Sequence, residues 1–256
     1  MNKLYIDSLS IVFQLKGKAL YLSNDYANAI IALDNSILQE ANNEAYYYKA
    51  LVYYDQPQQD LSKAKEYLDH AIAIKQDYRY SYANGKTNYK RKDYQSAINH
   101  FSDAIRLDTL NNLRNTYYLR GLSYYKTGKD FPNALADFDK YASFSYAKKD
   151  TGFYAYYGIT QLNSNQDSLA LKSFEYALSK AKNHPLALFG LGCYYAKSGT
   201  ENYLKANVSF QSAFQTHQLT KDDIKLMEET FLQDFFKDKV QKSLYNNSKK
   251  TGLNTN

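Results

Sequence analysis

Four histidines, one cysteine and two closely spaced aspartates are the side chains of this chain that could supply a metal site, a nucleophile or an acid–base pair. His70 and His100 stand at comparable places beside an apolar stripe, His184 falls in a linker and His217 at the end of a helical stretch. No H-E-x-x-H, C-x-x-C, G-x-S-x-G or phosphate-loop spacing joins any of them, so they read as partly buried or surface imidazoles. Cys193 is alone, which excludes an internal disulfide and leaves a small apolar helix residue. Asp137 and Asp139 flank Phe138 two places apart on one helix, so their carboxylates diverge and read as solvated charges. No nucleophile, base and orienting group come together, and the sequence predicts no catalytic residue, no metal and no cofactor.

The remaining chemistry is that of recognition. Twenty-eight tyrosines and no tryptophan mean that interfaces are filled with rings whose hydroxyls need partners or solvent. Thirty-two basic residues are nearly offset by 26 acidic ones, and the net charge of +6 does not by itself indicate nucleic acid. No run approaches the roughly eighteen apolar residues of a membrane span. Asp7 and Ser8 interrupt the N-terminal stretch where a signal peptide needs an apolar core, so the chain reads as cytoplasmic, although a piece of an exported protein would look the same.

These rings and charges are carried on a repeat. Ala29, Ala64, Ala97, Ala134, Ala170 and Ala206 recur at intervals of 35, 33, 37, 36 and 36 residues. Four places after each stands a bulky apolar residue (Leu33, Leu68, Phe101, Phe138, Phe174, Phe210), and seven places after, a mostly small one (Ser36, Ala71, Ala104, Tyr141, Ala177, Ala213). Offsets of four and seven lie on one helical face. Gly17, Gly85, Gly121, Gly158 and Gly192 precede their alanines by 12 to 14 residues, with Leu51 in the remaining unit. Glycine inside a helix costs about 1 kcal/mol relative to alanine, so its return at one phase points to a close approach of two helices. The expected crossing sets alanine against glycine, with the following Leu or Phe filling the space beside it. Units of this kind bury a continuous core only by stacking.

With Gly at the eighth place, Tyr or Leu near the eleventh, Ala at the twentieth, Phe or Leu at the twenty-fourth and a small residue at the twenty-seventh, the unit resembles the tetratricopeptide repeat. The resemblance covers residues 10–217 and is most faithful over Gly17 to Ser36, Gly85 to Ala104 and Gly121 to Phe138. It implies an all-α fold, a right-handed α-α superhelix of the tetratricopeptide-type α-solenoid, closed by a C-terminal amphipathic capping helix. The six helix pairs fall at about 10–43, 44–77, 78–111, 114–148, 151–184 and 185–217, after a lead-in over 1–9. The sixth, with Leu191-Gly192-Cys193-Tyr194-Tyr195 and a lengthened turn, is also similar to the related Sel1-type repeat. Tyr141 occupies a place where a small residue is usual, which predicts a local spreading between the fourth and fifth units.

First helices are expected near 10–22, 44–54, 79–90, 113–126, 151–163 and 185–198, and second helices near 26–40, 61–75, 94–107, 132–146, 167–181 and 203–216. After residue 217 the period stops. Residues 218–246 form a capping segment whose longer helix opens at Thr220 and carries Ile224, Met227, Phe231, Leu232, Phe235, Phe236 and Val240 in a wide apolar stripe. The leading reading is a cap on the sixth unit; the alternatives are self-association through residues 224–240 or a fold-back into the groove. The Asn-, Lys- and Ser-rich tail 247–256 is expected to be disordered.

In the tetratricopeptide family the first helices line a concave groove. Carried onto this chain, the family's groove places give Gln14, Lys18 and Tyr21, then Tyr48, Lys49, Val52 and Asp55, then Arg79, Tyr82, Lys86, Tyr89 and Lys90, then Asn115, Tyr118, Leu122, Tyr125 and Lys126. The peptide-binding residues expected from this set are Lys18, Tyr48, Lys49, Arg79, Tyr82, Lys86, Tyr89, Tyr118, Leu122 and Tyr125. Rings interleaved with cations suit a protein partner, a peptide or helix with acidic groups and apolar anchors. The fifth and sixth units instead present Ala155, Ile159, Leu162, Leu186, Phe189, Cys193 and Ala196, an apolar stretch for a partner or for the C-terminal helix. The lysine, asparagine and arginine clamp with which some family members hold chaperone tails is not reproduced, since its places hold Gln14, Lys18, Lys49, Arg79 and Ala83. The resemblance therefore implies a non-enzymatic protein-binding scaffold. RNA or single-stranded nucleic acid is the alternative ligand, disfavoured by the dispersed acids, and a self-associating structural protein is the other alternative.

Overall fold

The computed structural model describes residues 3–145 and 149–253, and all regular structure among them is helical. Backbone contacts divide the chain into two compact units, Met1–Thr127 and Gly128–Asn256. The first holds α1 (Lys3–Leu22), α2 (Tyr26–Gln39), α3 (Asn43–Asp55), α4 (Leu61–Ile74), α5 (Tyr78–Lys90), α6 (Tyr94–Leu107) and α7 (Asn115–Thr127). The second holds α8 (Phe131–Ser143), α9 (Thr151–Asn163), α10 (Asp167–Lys180), α11 (Pro185–Lys197), α12 (Tyr203–Gln215), α13 (Lys221–Phe231) and α14 (Lys239–Leu253).

The expected helices form, with ends mostly within two residues. The reason is written at the turns. Asn24, Lys92, Gly128 and Asn165 adopt the left-handed conformation that ends a first helix. Asp25, Asp60, Asp93 and Asp130 then cap the second helices, each accepting the backbone N–H three residues on, a device worth about 1 kcal/mol apiece.

In the first unit each first helix packs on the second helix that follows it, and α1, α3, α5 and α7 also touch in succession. They make one layer with α2, α4 and α6 forming the other, as in an α-solenoid. In the second unit α9 pairs with α10 and α11 with α12, while α14 covers α12 and α13 rests on α11.

The glycines do their work differently from the expected alanine crossing. A Cβ on Gly17 would lie 2.5 Å from Leu33 Cγ, one on Gly85 2.5 Å from two ring carbons of Phe101, and one on Gly192 2.5 Å from Phe210 Cε1. The partner is thus the bulky residue four places beyond the alanine, seated directly on the bare glycine. Phe174 is held from two sides, because added Cβ atoms on Gly158 and Gly190 would meet its Cε1 at 2.6 and 2.4 Å.

Three further differences follow from packing. Helix α1 starts at Lys3, so the lead-in is largely helical, and the end expected for the fourth second helix at 146 lies outside the described residues. The single C-terminal helix is two, broken after Phe231 with a short 3₁₀ turn at Phe235–Lys237, so that Leu232 and Phe235 both turn inward and are buried. The tail is helical to Leu253 because Tyr245 is fully buried, touching Phe210 and Phe214 of α12 at ring centroid distances of 5.1 and 5.4 Å; residues 254–256 lie outside the described set. Tyr141 is buried, and α8 meets α9 through rings, with Tyr141 and Phe138 at 5.2 and 6.0 Å from Phe153.

Candidate functional site

The first-helix layer of the first unit carries all ten expected binding residues, but it does not leave all of them available. On α1, Lys18 is half-buried with its ammonium 5.3 Å from the centre of the Tyr48 ring. Tyr48 is itself buried, 5.9 Å from Tyr21 and 5.2 Å from Tyr47. Tyr21 donates its hydroxyl to Asp55 at 2.7 Å, and burial together with that carboxylate raises its pKa. This bond ties α1 to the end of α3.

Two of the expected cations face away from a ligand. Lys49 is buried, pairs with Asp34 of α2 and lies 4.2 Å from the Tyr67 ring centre, so it locks α3 to the second-helix layer. Arg79 is held by Asp77 at 2.8 Å and Glu44 at 2.6 Å, which raise its pKa further, and stands over the Tyr47 and Tyr80 rings. Both are structural ties between neighbouring helix pairs within the first unit. With them go two of the places a chaperone-tail clamp would use.

The wall of α5 is different. Tyr82 is half-buried against Phe101, and Lys86 stands 4.8 Å from the Tyr54 ring centre and 5.7 Å from Tyr82. Lys90, exposed one turn on, is 4.1 Å from the same Tyr54 ring. Burial holds the Lys86 ammonium below the usual lysine range, and burial pushes Tyr54 up to about 12. Tyr89 packs edge-on against Tyr94 at 5.5 Å. On α7, Tyr118 is half-buried, whereas Leu122 and Tyr125 are buried and act as packing under the surface. Sequence reasoning missed Tyr54: it occupies the eleventh place of its unit, where a ring reads only as core, yet it is the platform for both lysines.

The second unit shows what covers such a wall. Ala155, Ile159, Leu162, Leu186, Phe189, Cys193 and Ala196 are all buried. Helix α13 lies on α11, burying Ile224 and Met227, and its Leu226 reaches Gly128. Glu228 of α13 accepts from Tyr245 at 2.7 Å and Lys249 at 2.6 Å on α14, and burial, with Glu228 nearby, pushes the Cys193 thiol up. The C-terminal segment therefore both caps α12 and lies against α11 of the first helices. Most of the stripe assigned to self-association is used inside the chain, leaving Val240 exposed.

The side chains first considered for chemistry are dispersed. His70 stacks on Tyr46 at 5.1 Å, His184 caps α11 and His217 Nδ1 lies 2.7 Å from the Gly252 carbonyl. Asp137 is buried rather than solvated, since it sits beside the Phe138 packing row, while Asp139 accepts from Tyr157. Among the described residues no three His, Cys, Asp or Glu side chains converge on a metal position, and no helix is long and apolar enough to cross a membrane.

No protein-family model matches the chain. A TPR repeat-containing protein, MJ1428 of Methanocaldococcus jannaschii, is 32% identical over 117 residues, 44% of this chain; the match spans only 19% of that relative's length. Among solved structures the chain is similar to YrrB, described as a TPR protein with an unusual peptide-binding site, with TM-score 0.60 and 20% identity over 77% of this chain and 96% of that one. It is similar to PilF of Pseudomonas aeruginosa, with TM-score 0.61 and 15% identity over 88% and 99% of the two chains. A MamA crystal structure gives 0.56 and 23% over 65% and 94%.

Proposed function

We propose that this tetratricopeptide-repeat chain works as a non-enzymatic scaffold that holds a peptide or helix of a partner protein on the first-helix wall of its first unit. The observation that carries the reading is the contrast between the two units. In the second, the first helices present apolar, buried residues, and the chain's own α13 rests on α11 while α14 covers α12. In the first, the corresponding layer presents Lys18, Tyr21, Tyr82, Lys86, Tyr89, Lys90 and Tyr118 half-buried or exposed. Half-buried tyrosines give broad contact at low side-chain entropy cost, and the lysines between them favour acidic groups. YrrB, similar in fold, is described as having a peptide-binding site, which supports a peptide ligand here.

The test is a peptide-display selection on the full chain, repeated on a Tyr82→Ala, Lys86→Ala, Tyr118→Ala triple variant whose thermal unfolding is checked. Peptides that bind the parent and are lost on the variant support the wall. A selection whose binders all survive the triple substitution removes it.

A further inference from the structure

We propose that Lys86 and Lys90, mounted on the ring of Tyr54, form an anion seat that takes one carboxylate group of the bound peptide. The proposal rests on the wall being a peptide surface and names the chemistry of one point on it. The two ammonium groups project from α5 one helical turn apart, at 4.8 and 4.1 Å from the same ring centre. Neither has a carboxylate within 4.0 Å among the described residues, in contrast to Lys49 and Arg79. Like charges one turn apart on a helix repel, and a ring face compensates them only in part. An anion placed between them relieves both conditions.

The surroundings select the anion. Asp55 is the acid whose charge acts on Lys86, and its carboxylate is engaged by the Tyr21 hydroxyl at 2.7 Å. One aspartate against two lysines leaves a local charge of one positive unit, which a single carboxylate balances and a phosphate dianion exceeds. The donors are two point-like ammonium groups with no guanidinium fork, so each carboxylate oxygen meets one Nζ. Beside Lys86 opens a dimple of about 10 Å³, lined mainly by Ala50, Leu51, Tyr54, Leu68 and Ala83. It is no larger than a water molecule and mostly apolar in lining, so a short aliphatic stem next to the carboxylate would lie over apolar surface. Neither lysine stands at a place of the chaperone-tail clamp.

The probes are sodium propionate and inorganic phosphate, titrated into the full chain at constant ionic strength, with the lysine Cε signals followed by NMR. Lys63, exposed 5.1 Å from the Tyr53 ring centre, serves as the internal control. Propionate is expected to shift Lys86 and Lys90 saturably and together, with Lys63 drifting only linearly. Lys86→Gln is expected to weaken the response of Lys90, and Lys90→Gln that of Lys86, by about fivefold to tenfold. Shifts at Lys86 and Lys90 no more saturable than those of Lys63 overturn the seat. Tighter binding of phosphate than of propionate overturns the carboxylate assignment. A selected peptide that is lost on Tyr82→Ala but binds Lys86→Gln and Lys90→Gln as it binds the parent also overturns the seat, while the wall reading survives.

Discussion

Phe174 sits between two glycines contributed by successive first helices, and this makes a quantitative prediction. A methyl carbon on Gly158 would stand 2.6 Å from the ring and one on Gly190 2.4 Å, against the roughly 3.5 to 4.0 Å of an ordinary carbon contact. Either substitution demands about 1 Å of retreat from a ring that has no exposed surface. Overpacking of this size costs about 1 to 3 kcal/mol, while alanine in place of glycine returns about 1 kcal/mol of helix propensity. The net for Gly158→Ala, and for Gly190→Ala, is a destabilisation of about 1 kcal/mol. The double variant closes the ring's escape on both sides and should exceed the sum of the singles by about 1 kcal/mol. Urea unfolding followed by far-ultraviolet circular dichroism measures all three. If either single variant is stabilised by about 1 kcal/mol, helix propensity has won and the close-packing argument is wrong; a strictly additive pair would show that the ring is not held from both sides.

Asp34→Ala strands the buried Lys49 ammonium and should cost about 1 to 2 kcal/mol, a value reduced by the partial exposure of Asp34. Lys49→Met, by contrast, should leave the affinity of a wall-selected peptide unchanged, as binding assays on both proteins will show. His184 accepts the Ala187 N–H at 3.2 Å and needs a neutral ring for it, and burial lowers the pKa of both His184 and His100. A base whose pKa is lowered on folding stabilises fully above its unfolded value of about 6.5 and progressively less as pH falls below it. The urea midpoint should therefore drop between about pH 7.5 and 5.5, and drop less in His184→Asn, which retains a capping side chain. A chain ending at residue 218 loses the rings of Phe235 and Tyr245 from Phe210 and should gain hydrophobic-dye binding; a soluble monomer that binds no dye would contradict the packing of α13 and α14.

The helix pairs were legible because their signals are local and repeated. Asp25, Asp93 and Asp130 cap helices whose apolar residues recur at fixed offsets, and no distant contact is needed to read them. The C-terminal region was not legible in the same way. Its tail has few apolar residues and helix propensity alone does not hold it; Tyr245 gains its place against α12 and Glu228 of α13, and Gly252 against α12, where a Cβ on Gly252 would come within 2.6 Å of the Phe214 carbonyl oxygen. Gly190 falls outside the repeat phase, so its role against Phe174 was likewise hidden.

The same division runs through the candidate site. Residue types and spacing put tyrosines and lysines on the first helices. Which lysines remain open to a ligand depends on neighbours 15 to 36 residues away in sequence: Asp34 captures Lys49, Glu44 captures Arg79, and Tyr54 supports Lys86 and Lys90. Periodicity determines a helix and the face it buries, because both are set within a few turns of chain. Charge pairing and the covering of a surface are decided by which helices come side by side, and only the tertiary structure contains that.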